Sequence, residues 1–336
     1  MFTGTNSGLP HIRRSGALRV GSSLGFSGLS AYDESSGSWT GFDTDIARAV
    51  AVALLGDEDA VEFLPLASAE RFDALDDGRI DLGSYNSSIT LTREAEYDVT
   101  FVHPLLYDGE VFATRPGNLR LGQGQDGAAD GSRRTIRDTV GTRIGMLAGS
   151  TTADNVSRHC GQVGVEYTAY LYRTPQQALG AYLSGEVDVY CLDSYLLAGE
   201  LSRHGDFDDH VFLDDQVSLE AMSPVVRGSD WAFTKAVRWV LFALIEADNL
   251  GLTRDSVLPV SEAAPGTYLH QFLRPDKKHA ENLGLLPDFT SRILERVGSY
   301  SDIFERNLGA GSPLKQGRKA NRLRTSGGML YAPLFI

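Results

Sequence analysis

Two periods of apolar residues alternate along this chain. Ala17-Leu18-Arg19-Val20-Gly21, Val61-Glu62-Phe63-Leu64-Pro65-Leu66 and the stretch 80–84 read as short buried strands. Between them, Gly41-Phe42-Asp43-Thr44-Asp45 leads into an Ala-rich helix over 46–55 with acidic residues in its first turn, and a short helix follows over 69–75. A second series opens with Thr142-Arg143-Ile144-Gly145-Met146-Leu147. It continues with a helix from about 152, a strand over 166–172, a helix over 175–183 and a strand over 187–192. The last third changes character: helical spacing over 231–246, 286–297 and 301–307 gives way to an irregular tail over 312–335. The Gly-, Asp- and Arg-rich stretch 117–135 reads as a surface loop.

The two series share a phrase. Ala74-Leu75-Asp76-Asp77-Gly78-Arg79-Ile80-Asp81-Leu82 and Ala181-Tyr182-Leu183-Ser184-Gly185-Glu186-Val187-Asp188-Val189 align Ala, Gly, a β-branched residue, Asp and an aliphatic. Each reads as a helix end, a glycine turn and a buried strand. Five residues after each repeated Asp stands a polar group, Asn86 in one copy and Asp193 in the other. Strand–helix alternation with right-handed crossovers predicts an α/β protein of two lobes, each a mainly parallel, doubly wound sheet. A cleft is expected between them at the carboxyl ends of the strands. The order of elements implies two hinge crossings, near 108–111 and 220–224. Lobe 1 would then hold 1–110 plus 223–336, with the C-terminal helices and tail, and lobe 2 would hold 111–222.

The 336 residues suffice for two domains and a sizeable core. With 31 Lys and Arg against 44 Asp and Glu, the formal charge of −13 argues against nucleic acid or an anionic membrane surface as the main partner. No apolar run reaches the roughly 20 residues that span a bilayer, so no direct membrane insertion is expected. The opening Met1-Phe2-Thr3-Gly4-Thr5-Asn6-Ser7-Gly8 carries neither a basic nor an apolar signal-peptide region. Cys160 and Cys191 form no metal motif. Two separate buried thiols are the simpler reading, although a bridge within the second series is geometrically conceivable.

Three stretches carry candidate chemistry. Asn86-Ser87-Ser88-Ile89-Thr90-Leu91-Thr92-Arg93-Glu94 crowds hydroxyls and a guanidinium at a strand mouth. Arg93 offers a planar fork that matches a carboxylate; the alternative is a Thr-capped helix with Arg93 solvated. Leu147-Ala148-Gly149-Ser150-Thr151-Thr152 opens a helix whose free N–H groups suit an anion, and equally fits an ordinary N-cap. Asp193 ends a buried strand and suits an ammonium group, or caps the next helix. Together these groups describe the backbone end of a free α-amino acid. Phe26, Tyr32, Trp39 and Tyr85 line a pocket or pack in the core. The seven histidines show no metal spacing and no Gly-x-Ser-x-Gly elbow appears. No cofactor or metal is expected, and no catalytic residue.

These residues resemble the solute-binding proteins of polar amino-acid ABC transporters, extracellular solute-binding protein family 3, and within it the general L-amino-acid subgroup. The resemblance is carried by Gly41 to Val50, by Pro65-Leu66 to Leu75, by Asn86 to Arg93 and by Gly149-Ser150-Thr151-Thr152. It extends through Ile303-Phe304-Glu305-Arg306-Asn307-Leu308-Gly309, Ser312-Pro313-Leu314-Lys315 and Met329-Leu330-Tyr331-Ala332-Pro333. It implies a type II periplasmic-binding-protein fold and a monomer that binds L-amino acids and delivers them to a membrane permease, in the periplasm. It assigns Arg93 and Ser88 to the ligand α-carboxylate, Ser150, Thr151 and Thr152 to the same site from lobe 2, and Asp193 to the α-ammonium. Phe26 would line the side-chain pocket, and Asn86 belongs to the motif. The subgroup carries Arg where Tyr85 stands, which leaves the side-chain preference open. Two rivals share the scaffold. A cyclohexadienyl dehydratase-like enzyme would need a general acid in the cleft, and no further Glu or His is evident at the matching strand ends. A sensory module would be expected to bring a transmembrane or signalling segment.

Overall fold

A computed structural model describes residues 8–120, 133–202, 209–256 and 263–336. Most of the loop expected over 117–135 lies outside them. The strands in chain order are β1 (Leu18–Ser22), β2 (Ala31–Asp33), β3 (Ser38–Thr40), β4 (Val61–Pro65), β5 (Leu82–Gly83), β6 (Val99–Phe101), β7 (Leu106–Asp108), β8 (Glu110–Thr114), β9 (Arg143–Leu147), β10 (Thr168–Tyr172), β11 (Val189–Asp193), β12 (Val211–Phe212), β13 (Glu220–Met222) and β14 (Val225–Arg227). They build two five-stranded sheets, ordered β4-β1-β5-β14-β6 and β10-β9-β11-β8-β12. In each, the first three strands are parallel, and one antiparallel strand, β14 or β8, is inserted next. A two-stranded antiparallel ribbon of β7 and β13 runs where the chain passes between the sheets.

The repeated phrase has one structural purpose in both sheets. Gly78 and Gly185 adopt φ of 71° and 84°, the left-handed turn that ends each helix. The repeated Asp then reaches back to the neighbouring strand. Arg19 grips both oxygens of Asp81 through Nε (2.9 Å) and Nη2 (2.7 Å), and Arg143 grips Asp188 through the same two nitrogens at the same distances. Arg19 Nη1 also donates to Gly78 O and Arg143 Nη2 to Gly185 O, so turn and strand are locked as a unit. Strand β5 is shorter than expected, yet Asp81 N donates to Arg19 O and Ser84 N to Gly21 O on either side of it.

Apolar periodicity finds the helices Phe42–Leu55, Arg71–Asp76, Thr152–Val163, Pro175–Ser184, Trp231–Asn249, Phe289–Arg296 and Tyr300–Asn307, and misses Leu9–Ser15, Ser194–Leu201, Tyr268–Leu273 and Lys277–Asn282. Phe42–Leu55 is buried nearly all round, because it packs against Trp231–Asn249 and Phe289–Arg296 as well as the first sheet. The tail is irregular, as expected, and docks on the ribbon. The Asn321 side chain accepts from Tyr107 N (2.6 Å) and donates to Tyr107 O (2.8 Å), satisfying both backbone groups of a β7 residue. Cys160 and Cys191 are both free and buried in the core of the second sheet, so the conceivable bridge is absent.

Candidate functional site between the sheets

The carboxyl ends of β5 and β11 face each other across a narrow cleft. All eight residues predicted from sequence line it: Phe26, Asn86, Ser88 and Arg93 from the first-sheet side, and Ser150, Thr151, Thr152 and Asp193 from the second. The walls meet at the rim. Arg173 Nη2 donates to Glu70 Oε1 at 2.6 Å, and Gln176 Nε2 to Leu24 O at 3.1 Å. Gly149, at φ 73°, lets the second wall approach Ala69: a Cβ at Gly149 would sit 2.9 Å from the Ala69 methyl. The space left between the walls is about 30 Å³.

On the first wall, Thr90 caps the short helix Leu91–Glu96 by accepting from Arg93 N, as the alternative reading had it. Arg93 is nonetheless not a solvated surface residue. Its Nη1 donates to Ser88 O at 2.6 Å and its guanidinium lies 5.2 Å from the centre of the Phe72 ring. Burial lowers its pKa, opposed by the charges of Glu220 and Asp193 across the cleft. The Ser-rich stretch is stitched to the ribbon, since Ile89 N donates to Ala221 O and Ser88 bridges Met222. Asn86 holds a left-handed φ of 49°, with its Oδ1 accepting from Ser23 Oγ.

On the second wall, Asp193 is spared from capping. The helix Ser194–Leu201 is instead capped by Asp108, whose Oδ2 accepts from Tyr195 N at 2.9 Å. Ser150 Oγ closes its own turn by donating to Leu147 O and accepting from Thr152 N. The Thr151 hydroxyl donates to Glu220 Oε2 at 3.0 Å. Asp193 lies opposite Glu110 in the β11–β8 register, and carboxylate oxygens of Glu110, Asp193 and Glu220 fall within 4.8 Å of one another. Burial, together with the neighbouring acids, holds the Asp193 carboxyl well above the usual carboxylate range, and burial pushes Glu110 up to about 7.

Several features escape sequence reading. The expectation of no further Glu or His near the strand ends is corrected here: β8 inserts antiparallel beside β11 and brings Glu110 against Asp193, while the ribbon supplies Glu220. Both stand behind Asp193 and Thr151 and neither lines the cleft. Arg71, Ser68 and Ser87 do line it, although the helical spacing of 69–75 gives Arg71 no mark as a site residue. Of the four aromatics, Phe26 alone lines the cleft. Tyr85 is 1% exposed, edge-on to Phe72. Tyr32 and Trp39 meet at a tilt on the β2–β3 hairpin, with ring centres 5.5 Å apart.

Comparison with known proteins agrees with this architecture. Residues 18–256 match the family model for bacterial extracellular solute-binding proteins, family 3. The chain is 33% identical over 328 residues to the general L-amino acid-binding periplasmic protein AapJ of Rhizobium johnstonii, covering 97% of this chain and 92% of that one. It is 30% identical over 329 residues to the glutamate/glutamine/aspartate/asparagine-binding protein BztA of Rhodobacter capsulatus, covering 98% and 93%. Among solved structures, an ABC transporter periplasmic binding protein from Brucella ovis with glutathione bound superposes with a TM-score of 0.89 at 32% identity, over 98% of this chain and 99% of that one. With two mixed sheets, an interposed ribbon and a polar cleft at the strand ends, the chain has the type II periplasmic-binding fold and belongs to the bacterial extracellular solute-binding proteins, family 3.

Proposed function

We propose that this protein captures a free L-amino acid between its two sheets and delivers it to the membrane permease of an ABC transporter. The observation that carries the reading is the opposition of Arg93 and Asp193 across one cleft. A guanidinium fork on one wall suits a carboxylate, and a carboxylate on the other suits an ammonium. Ser88 completes the first pole. Thr151 and the N-terminus of the helix Thr152–Val163 join it from the opposite wall.

In this reading the lobes are 1–110 with 223–336, and 111–222, and the β7–β13 ribbon is their hinge. The walls touch at the rim and leave only about 30 Å³ between them, so an amino acid enters only when the walls part. Ligand groups that bridge both walls then favour the closed arrangement over the open one. The relatives' names support both the amino-acid ligand and the periplasmic setting, and no helix among the described residues is long and apolar enough to cross a membrane. The protein works as a monomer on the outer side of the cytoplasmic membrane.

A thermal-shift screen against the twenty amino acids tests this. Ligand at about a hundred times its Kd stabilises the folded state by about 2.7 kcal/mol, so at least one L-amino acid should raise the melting temperature, while its D-enantiomer should not. A flat screen refutes the reading. Incubation with prephenate or arogenate separates the dehydratase alternative, for which aromatic product is the diagnostic.

A further inference from the structure

Glu110, Asp193 and Glu220 each place one carboxylate oxygen within 4.8 Å of the others. None of the three forms an ion pair among the described residues. Their hydrogen bonds are unequal. Glu220 is fully furnished: Oε2 accepts from Thr151 Oγ1 (3.0 Å), and Oε1 accepts from Asn155 Nδ2 (2.6 Å) and Ser218 Oγ (2.8 Å). Asp193 caps no helix and lines the cleft. Glu110 is 1% exposed; the side chains of Thr152, Asn155 and Ser218 hydrogen-bond its carboxyl, yet nothing donates to Oε2. A buried carboxylate oxygen without a donor is costly, whereas a protonated one is itself a donor and needs an acceptor. The β8–β11 register sets Asp193 opposite Glu110, and two neighbouring carboxylates resist ionising together.

The charged groups around Glu110 are mostly acidic. β11 brings Asp193 and the buried Cys191 thiol, and the ribbon brings Glu220 and Asp108. On its other side Glu110 lines a groove with Asp214 and Asp215, the latter paired with His159 at 2.8 Å. The helix Thr152–Val163 presents neutral Thr152 and Asn155, with Arg158 donating to Asn155 Oδ1. Arg93 acts on Asp193 from across the cleft, and Lys319 acts on Asp108. We propose that Glu110 is the positioning residue of the ammonium pole: as a carboxylic acid it holds the Asp193 carboxylate through a shared proton, and the α-ammonium of the ligand displaces that proton on binding. The inference rests on the amino-acid reading above. The exchange balances, since one positive charge arrives beside Asp193, Glu110 becomes a carboxylate and its proton passes to the buffer. Burial pushes the Glu110 carboxyl up to about 7, so the ligand-free protein keeps the proton at mildly acidic pH. Binding then tightens as pH rises toward that value.

Calorimetry tests this with the L-amino acid, histidine excepted, that gives the largest shift in the thermal screen. Its own charges stay fixed between about pH 5.5 and 7.5. Near pH 6 the parent should release about 0.5 to 1 proton per ligand, read from the dependence of the heat on the ionisation enthalpy of the buffer. Its Kd should be at least about tenfold weaker at about pH 5.5 than at about pH 7.5. Glu110→Gln donates a hydrogen bond without titrating. It should release less than about 0.2 proton and hold its Kd within about threefold over the same range. A parent that releases no proton overturns the assignment, whether or not the variant folds. A glutamine variant that releases as much as the parent also overturns it, because the proton then resides on Asp193 alone. So does a protein that loses binding in EDTA and regains it with calcium, since a cation then sits among the acids. A parent that binds no amino acid overturns the underlying reading instead.

Discussion

Replacing Arg93 by alanine separates ligand recognition from folding. In the folded protein the side chain makes one bond to Ser88 O and one contact over Phe72. Those are worth about 1 kcal/mol each, and part is recovered because burial already opposes the charged form. The melting temperature should therefore fall by only a few degrees. Ligand binding should fall much further, since a bound α-carboxylate would be left in the cleft without its cation. Truncating one partner of such a pair costs about 2–5 kcal/mol, or roughly 30- to 5000-fold in Kd. Isothermal calorimetry with the tightest ligand of the thermal screen measures this directly. Arg93→Lys should recover part of the loss, because an ammonium supplies charge without the fork. An alanine variant that binds as tightly as the parent would show that the carboxylate is held elsewhere.

Two further outcomes are expected. Burial keeps a proton on Glu110 up to about pH 7, well above its value in an unfolded chain. The native state then binds more protons than the unfolded state between about pH 4 and 7, and this group's contribution to stability is lost as pH rises through that window. Glu110→Gln, which cannot ionise, should gain stability relative to the ligand-free parent between pH 5 and 8 in thermal melts; a difference that stays constant with pH rejects the cause. Asp81→Asn removes one of the two strand locks, in which the Asp81 side chain is fully buried and that of Arg19 is 23% exposed. A loss on the order of 3 kcal/mol in chemical unfolding is expected, and a loss below about 0.5 kcal/mol would show that the lock is ornamental.

Much of the site was legible because its residues sit at fixed offsets from strongly patterned elements. The repeat places Asn86 and Asp193 five residues after the repeated Asp81 and Asp188, and the fold carries both to the cleft. Glu110, Glu220 and Arg71 carry no such local mark. Glu110 matters because β8 pairs antiparallel with β11, and Glu220 because the ribbon passes beneath Thr151. The capping question for Asp193 was likewise undecidable from its neighbours, since the cap comes from Asp108 on a strand far away in sequence.

Nearby residues alone dictate the main strands and helices of the two repeated series, the glycine turns that end them, and the likeness of the two units, whereas the antiparallel strands β6, β7, β8, β13 and β14 carry no such mark. Those properties follow from burying one face of an element and from local backbone sterics, both written in nearby residues. Only folding brings together the polar groups that share a space: Glu110 and Glu220 behind the cleft-lining Asp193, Arg71 in the cleft wall, and the tail fastened to Tyr107. Such meetings depend on strand insertion and docking between distant segments, whose register no short window of residues records.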